Sequence, residues 1–448
     1  MLFLEAPNRP LKTRFREQEL SSDGKIFYGW WIVLIGALGL CLGDGPIVVL
    51  TFGVFFKTLV RAFHVDRAAV SFAFTVHNII VAFCVPLIGW LIDHMGARRV
   101  ILAGTTLYAL ILLLSTTVGA HIAYLYLLFA TLGVVAGSTS PVPYGTVISR
   151  WFDKRRGLAL GLMAMGLGIG GVVMPLLAQH LIAAAGWRLA YASFGGAALI
   201  IAIPVVALFL KDTPEQRGLC RDGERFAPDS EQDARVDGLT WNETWHDGMF
   251  WLLLGAFFLA GASVFACALH LSALLTDRGM TPASAALATS LIGAAVFVGR
   301  IGAGYLLDRV FAPRIAMLFF SCAALGIVLL LAGSIGAVAL IGAFLIGLGM
   351  GAEVDVIAYL MSRYFGLRSL RTAFGFGFGS FALSGAVGVF LMGEGFELTH
   401  SYSVPLAGCF IAEIIAIALM ARLGPYRYSA PQAGGLTRGH SAVNRFEV

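Results

Sequence analysis

Ionisable side chains stand inside several long apolar runs of this chain: Asp44, His77, Arg300, Glu353 and Asp355, with His270 and Glu413 nearer the ends of theirs. A charge at membrane depth is expensive, so each is a candidate for binding or proton transfer. Arg300 is the only basic side chain deep in any run. A guanidinium there can hold a carboxylate through two parallel hydrogen bonds. Arg300 precedes Asp308 by eight residues, about 12 Å of helix, and Glu353 precedes Arg363 by ten, about 15 Å. The two lie at similar depth, so an Arg300–Glu353 pair that opens for an anion is expected. Glu353 would be proton carrier or gate; a purely structural pair is the alternative. Asp355 is two residues on, about 200° round the helix, so it cannot share one small ligand with Glu353. It reads as a packing partner with a lesser claim on the proton. Asp44 lies in Gly43-Asp44-Gly45-Pro46, a helix interruption that makes it a further proton-coupling candidate. His77 is a candidate ligand contact about 12 Å inside its run, with a hydrogen-bonded interior histidine as the bland alternative.

The elements that hold these residues follow from composition. The 448 residues are 58% hydrophobic and 13% charged, with a mean hydropathy of +0.83. A water-soluble domain carries roughly 25% charged residues, so a soluble enzyme is excluded. A spanning helix needs roughly 20 apolar residues. Twelve such runs are read near 28–52, 69–91, 99–119, 122–148, 157–182, 189–210, 248–273, 283–306, 313–333, 336–361, 372–392 and 403–423. No alternating pattern supports a barrel. With the N-terminus inside the cell, 25 Lys and Arg fall in cytoplasmic segments, five outside and Arg300 within a span. That asymmetry predicts cytoplasmic termini. It also accounts for the net charge of +5 without nucleic acid as a partner.

The expected organisation is a tail at 1–27, a six-span half at 28–210, a cytoplasmic loop at 211–247, a second half at 248–423 and a tail at 424–448. The loop holds ten acidic and five basic residues and reads as a solvated linker; the C-terminal tail reads as disordered. The sequon at Asn242 lies on the cytoplasmic side. Glycine-rich stretches at 161–171 and 375–379 lie inside apolar helices and read as packing surfaces. The cysteines, Cys220 among them, show neither metal-ligand nor disulfide spacing, and no cofactor is expected.

The halves repeat. Gly89-Trp-Leu-Ile-Asp93-His-Met-Gly96-Ala-Arg98-Arg99 after span 2 matches Gly304-Tyr-Leu-Leu-Asp308-Arg309 after span 8, an offset of 215. Ser149-Arg150-Trp-Phe152 after span 4 matches Ser362-Arg363-Tyr-Phe365 after span 10, an offset of 213. Paired membrane bundles of this kind place a binding site between the repeats near midplane. The repeat aligns Glu353 with Ser140, and Tyr144 lies one turn beyond, so both are candidate ligand contacts.

The stretch from Gly89 to Arg99 resembles the signature loop of the major facilitator superfamily, and the likeness covers nearly the whole chain. Tyr28-Gly29-Trp30-Trp31, the run from Arg150 to Gly161, Gly186-Trp187-Arg188 and Arg300 are similar to the oxalate/formate antiporter and monocarboxylate porter branch. The resemblance implies an all-α fold of two six-helix bundles related by pseudo-two-fold symmetry. It implies alternating access, with spans 1, 4, 7 and 10 lining the cavity and the span-8 Arg on a substrate carboxylate. Relatives place an acidic residue one turn earlier, where this chain has Val296, or a Lys in span 11, which residues 372–392 lack. A single cation favours a monocarboxylate. The resemblance also implies gating latches between Asp93, beside Arg98, and Arg150, and between Asp308 and Arg363.

The expected function is secondary transport of small organic anions, coupled to protons or to a counter-anion. The setting would be a plasma membrane, or the inner membrane of a bacterium, with lipid and substrate as partners and a monomer as the unit. The alternatives are a multidrug or sugar carrier, or a membrane sensor on the same scaffold. No nucleophile–base set or metal cluster is seen in the sequence.

Overall fold

The computed structural model describes residues 27–152, 155–219, 238–307, 309–366 and 369–428. Asp308, Cys220, most of the central loop and residues 429–448 of the C-terminal tail expected to be disordered lie outside the described residues. Among the described residues the chain is almost wholly helical, apart from an isolated Gly238–Gly366 bridge. Eleven helical stretches are long and apolar enough to cross a membrane. The longest, Arg156–Phe209, is two spans, because Gly186 breaks it with φ +79°, a value that favours glycine.

The twelve spans can then be set out. Span 1 is Gly29–Cys41, a π-turn at Gly45–Val49 and the helix Phe52–Phe63. Spans 2 and 3 are Arg67–Met95 and Ala97–Leu114. Span 4 is Ile122–Ala136, a 3-10 turn at Gly137–Thr139 and Pro141–Trp151. Spans 5 and 6 share Arg156–Ala197 across Gly186, and span 6 ends in Ile203–Phe209. Spans 7 to 12 are Gly248–Asp277, Pro282–Leu307, Ala312–Leu331, Gly336–Phe365, Leu370–Thr399 and Ser403–Ala421.

The breaks in spans 1 and 4 have one cause. Pro46, Pro141 and Pro143 lack the N–H that would continue the helical ladder. The two breaks meet, the Asp44 N–H donating to Thr139 Oγ1 at 3.2 Å.

Small residues let the spans close on each other. A Cβ on Gly166 would collide with the Ala37 backbone, and one on Gly351 with that of Val296. Span 2 packs on span 11 and span 5 on span 8, joining the first six spans to the last six. At the second seam the Gly171 and Gly293 backbones touch. Gly293→Val should therefore wedge the halves apart, costing about 1–3 kcal/mol. The expected result is faster labelling of a cysteine placed in the Gly171 seam, with little loss of thermal stability. A lowered melting temperature with unchanged labelling would mean that the strain is absorbed within one half.

The end of the central loop differs from a solvated linker. Thr240 and Glu243 form a reciprocal capping box that starts the short helix Trp241–His246. Trp241 and Trp245 then pack against Phe250 and Phe376. Thr244, the sequon's hydroxyl residue, is buried against Ser369 Oγ at 2.9 Å.

Candidate functional site

Helical spacing fixes where Arg300 points. Gly293 and Phe297 touch span 5 across the seam, and Val296 touches Gly351 of span 10. Arg300 is one turn beyond Val296 and Phe297, so it faces the seam and span 10 together. Asp355 is one turn beyond Gly351 and meets it: Arg300 Nε donates to Asp355 Oδ2 at 3.0 Å. Both side chains remain part-exposed, at 32% and 38%.

This differs from the expected Arg300–Glu353 pair, and the reason is the 200° between residues two apart. Asp355 shares the face of Gly351, which lies against span 8. Glu353 points the other way, fully buried, with neither carboxyl oxygen hydrogen-bonded. It lies within Coulombic reach of Glu413 of span 12, itself buried and unpartnered rather than peripheral. Among described residues, Asp355 supplies the acidic partner that Val296 cannot.

Tyr144 and Ser140 lie on span 4 as the repeat suggests, but in different settings. Tyr144 is buried against Gly39 of span 1. Ser140 caps the second helix of span 4, its Oγ accepting from the Val142 N–H at 3.2 Å. His77 lies inside the first half, where its Nε2 meets Asp44 Oδ1 at 3.0 Å, and both residues are buried.

Among the described residues, every hydrogen bond and ion pair between the halves lies at the face opposite the chain termini. Asp277 accepts from Lys57 at 2.5 Å and from Arg67 at 2.6 Å. The Arg67 N–H donates to Glu397 at 2.8 Å, its guanidinium to the Tyr402 hydroxyl at 2.7 Å, and it stacks 3.8 Å over Phe396. Burial holds the Tyr402 phenol above its ordinary range, so it keeps its proton. It therefore accepts from Arg67 and donates to His270 Nδ1 at 3.2 Å. His270 Nε2–H then donates to the Val389 carbonyl and to Ser71 Oγ, both at 3.2 Å. Thr75 closes the row, donating to the Ala386 carbonyl at 2.9 Å. Sequence reading missed this seal. Its members look like ordinary span-end charges, and only the fold brings residues 199 to 335 positions apart together.

At the face that carries the termini, no hydrogen bond or ion pair joins the halves among the described residues. A cavity of about 1080 Å³, lined by Pro86, Trp251, Phe258 and Ser380 among others, lies there between spans 2, 7 and 11. Asp93 is exposed and Arg150 lines a separate 480 Å³ cavity with Arg156, with no bond between Asp93 and Arg150. Arg98 instead ties span 3 to the end of span 6, its N–H donating to Asp212 at 2.8 Å and its guanidinium to the Ala207 carbonyl. Arg363 stacks 4.2 Å over Tyr426, and its expected partner Asp308 lies outside the described residues.

The chain is similar to known transporters. Rat monocarboxylate transporter 13 is 28% identical over 394 residues, covering 86% of each chain. Human monocarboxylate transporter 12 is 25% identical over 422 residues, covering 88% of this chain and 80% of that one. The solved nucleoside transporter NupG shares the fold at a TM-score of 0.68 and 13% identity, covering 88% and 99%. Residues 33–389 match the model of the Major Facilitator Superfamily, and the chain belongs to that family of membrane transporters.

Proposed function

We propose that this transporter carries small monocarboxylates with a proton by alternating access, Arg300 being the anchor and Asp355 its displaceable counter-ion. The observation that carries the reading is the part-exposed Arg300–Asp355 pair at the seam. The relatives named for monocarboxylates support the substrate class. An entering carboxylate replaces Asp355 on the guanidinium. Asp355, left without its cation at membrane depth, takes one proton from cavity water. One anion and one proton are then held, and the loaded carrier has the charge of the empty one. Release reverses both steps. The face with both termini is read as cytoplasmic, in a plasma membrane or bacterial inner membrane, with a monomer of two six-span halves as the unit. Asp93 and Arg150 would meet when that face shuts, at a modest 0–1 kcal/mol or so suited to a switch.

Proteoliposomes test the coupling. Asp355→Asn should retain counterflow of labelled monocarboxylate but lose accumulation driven by an imposed pH gradient. Glu353→Gln should retain both, since Glu353 faces away from Arg300. Undiminished gradient-driven accumulation in Asp355→Asn, or its loss in Glu353→Gln, would count against this assignment of the proton.

A further inference from the structure

Beyond the substrate site, the buried groups of the first half gather at one place, the joint of spans 1 and 4. Asp44 lies at the break of span 1, its N–H held by Thr139 in the break of span 4, and its carboxylate meets His77 of span 2. A carboxylate only accepts, so His77 Nε2 carries the hydrogen of that bond. The other ring nitrogen, Nδ1, is buried without a partner, and a neutral ring leaves it as a bare lone pair. The groups around the pair are Phe74 on the same span, Phe129 and Thr139 of span 4, Tyr108 of span 3 and Tyr191 of span 6. None is a cation. The two tyrosine hydroxyls are also buried without partners, as internal water would require. Asp44 and a neutral His77 together carry one uncompensated negative charge, and Nδ1 is the place where one proton cancels it.

We infer that Asp44 and His77 form a proton-binding site whose occupancy governs the seal on the face opposite the termini. The link is in the elements. Past Asp44, span 1 continues to Lys57. Toward its start from His77, span 2 carries Thr75, Ser71 and Arg67. The pair thus staples the two elements that supply the first half's share of the seal. With the proton bound, an imidazolium meets a carboxylate and the staple is tight. Without it, a buried negative charge draws in water and the two elements loosen. The inference rests on alternating access but not on Arg300 or Asp355.

The test uses a cysteine at Ala386, which is fully buried under Thr75, in full-length protein with its other accessible cysteines replaced. A membrane-impermeant maleimide applied from the sealed side reads opening. Measured relative to a freely exposed cysteine of the same protein at the same pH, which removes the thiol's own pH dependence, labelling should slow about threefold or more as pH falls from about 8 to about 5.5. His77→Gln, which keeps a donor toward Asp44 but has no second ring nitrogen, should give one relative rate throughout. Asp355→Asn should keep the pH response even where gradient-driven uptake is lost. A pH response of wild-type size in His77→Gln would overturn the inference. Asp44→Asn carries the same test should His77→Gln fail to insert. A flat profile in the wild type overturns it without any variant.

Discussion

Arg300→Ala should lose nearly all carboxylate uptake while remaining folded and inserted. Arg300 is the one deep cation, and its guanidinium faces the seam with one carboxylate partner at 3.0 Å. Losing the hydrogen-bonded charge pair to a substrate carboxylate enclosed between the halves costs about 2–5 kcal/mol, roughly thirtyfold or more in affinity. Arg300→Lys keeps the charge but not the planar fork, so it should recover only part of the loss. A structural role for the pair makes a different forecast. The double variant Arg300→Gln with Asp355→Asn removes both charges and leaves no ion unpaired. If the pair only held spans 8 and 10 together, that variant would transport. If Arg300 anchors the substrate, it stays inactive. Concentration dependence of uptake by the single and double variants, at matched amounts of inserted protein, decides between them.

Arg67→Ala should open the sealed face. One residue joins three elements of the second half: Asp277 at the end of span 7, Glu397 near the end of span 11, and Tyr402 before span 12. Alanine keeps the backbone bond to Glu397 but loses the ion pair, the bond to Tyr402 and the stacking on Phe396. It also leaves Lys57 as the sole ion-pair partner of Asp277 among described residues. Part-exposed ion pairs are weak singly, but this is a network with a cation–π contact. A loss of about 1.5–3 kcal/mol would move the population of open forms roughly tenfold to a hundredfold. Labelling of the cysteine at Ala386 should accelerate accordingly, with turnover slowed because closure becomes difficult. Arg67→Lys should fall between. Labelling at the wild-type rate in Arg67→Ala would place the seal's strength in the apolar seam instead.

Much of this was legible in the residues, and the failures have physical causes. The twelve spans follow from apolar runs, and Gly186-Trp187-Arg188 marks the break that a continuous helix would otherwise hide. Arg300 is legible because a lone deep guanidinium has few reasons to exist. Its partner was misread because depth alone ranks Glu353 and Asp355 alike. The helix face decides, and that depends on Gly351 lying against span 8, which needs the packing. The same geometry was half visible: two residues 200° apart cannot both face a ligand, but the sequence does not say which one does. Asp44 and His77 were singled out separately, and nothing in their spacing joins them. The loop's final helix was readable from Thr240-Trp-Asn-Glu243, a capping signature ahead of apolar residues, and it passed unnoticed among the loop's charges.

Transport of one monocarboxylate with one proton through the Arg300–Asp355 site is read out by reconstituted protein given a labelled monocarboxylate under an imposed pH gradient, with membrane potential clamped at different values. Accumulation should follow the pH gradient with a one-to-one proton count, stay unchanged with the potential, and vanish in Arg300→Ala. Accumulation driven by the potential, or by a counter-anion gradient with no proton movement, would contradict it.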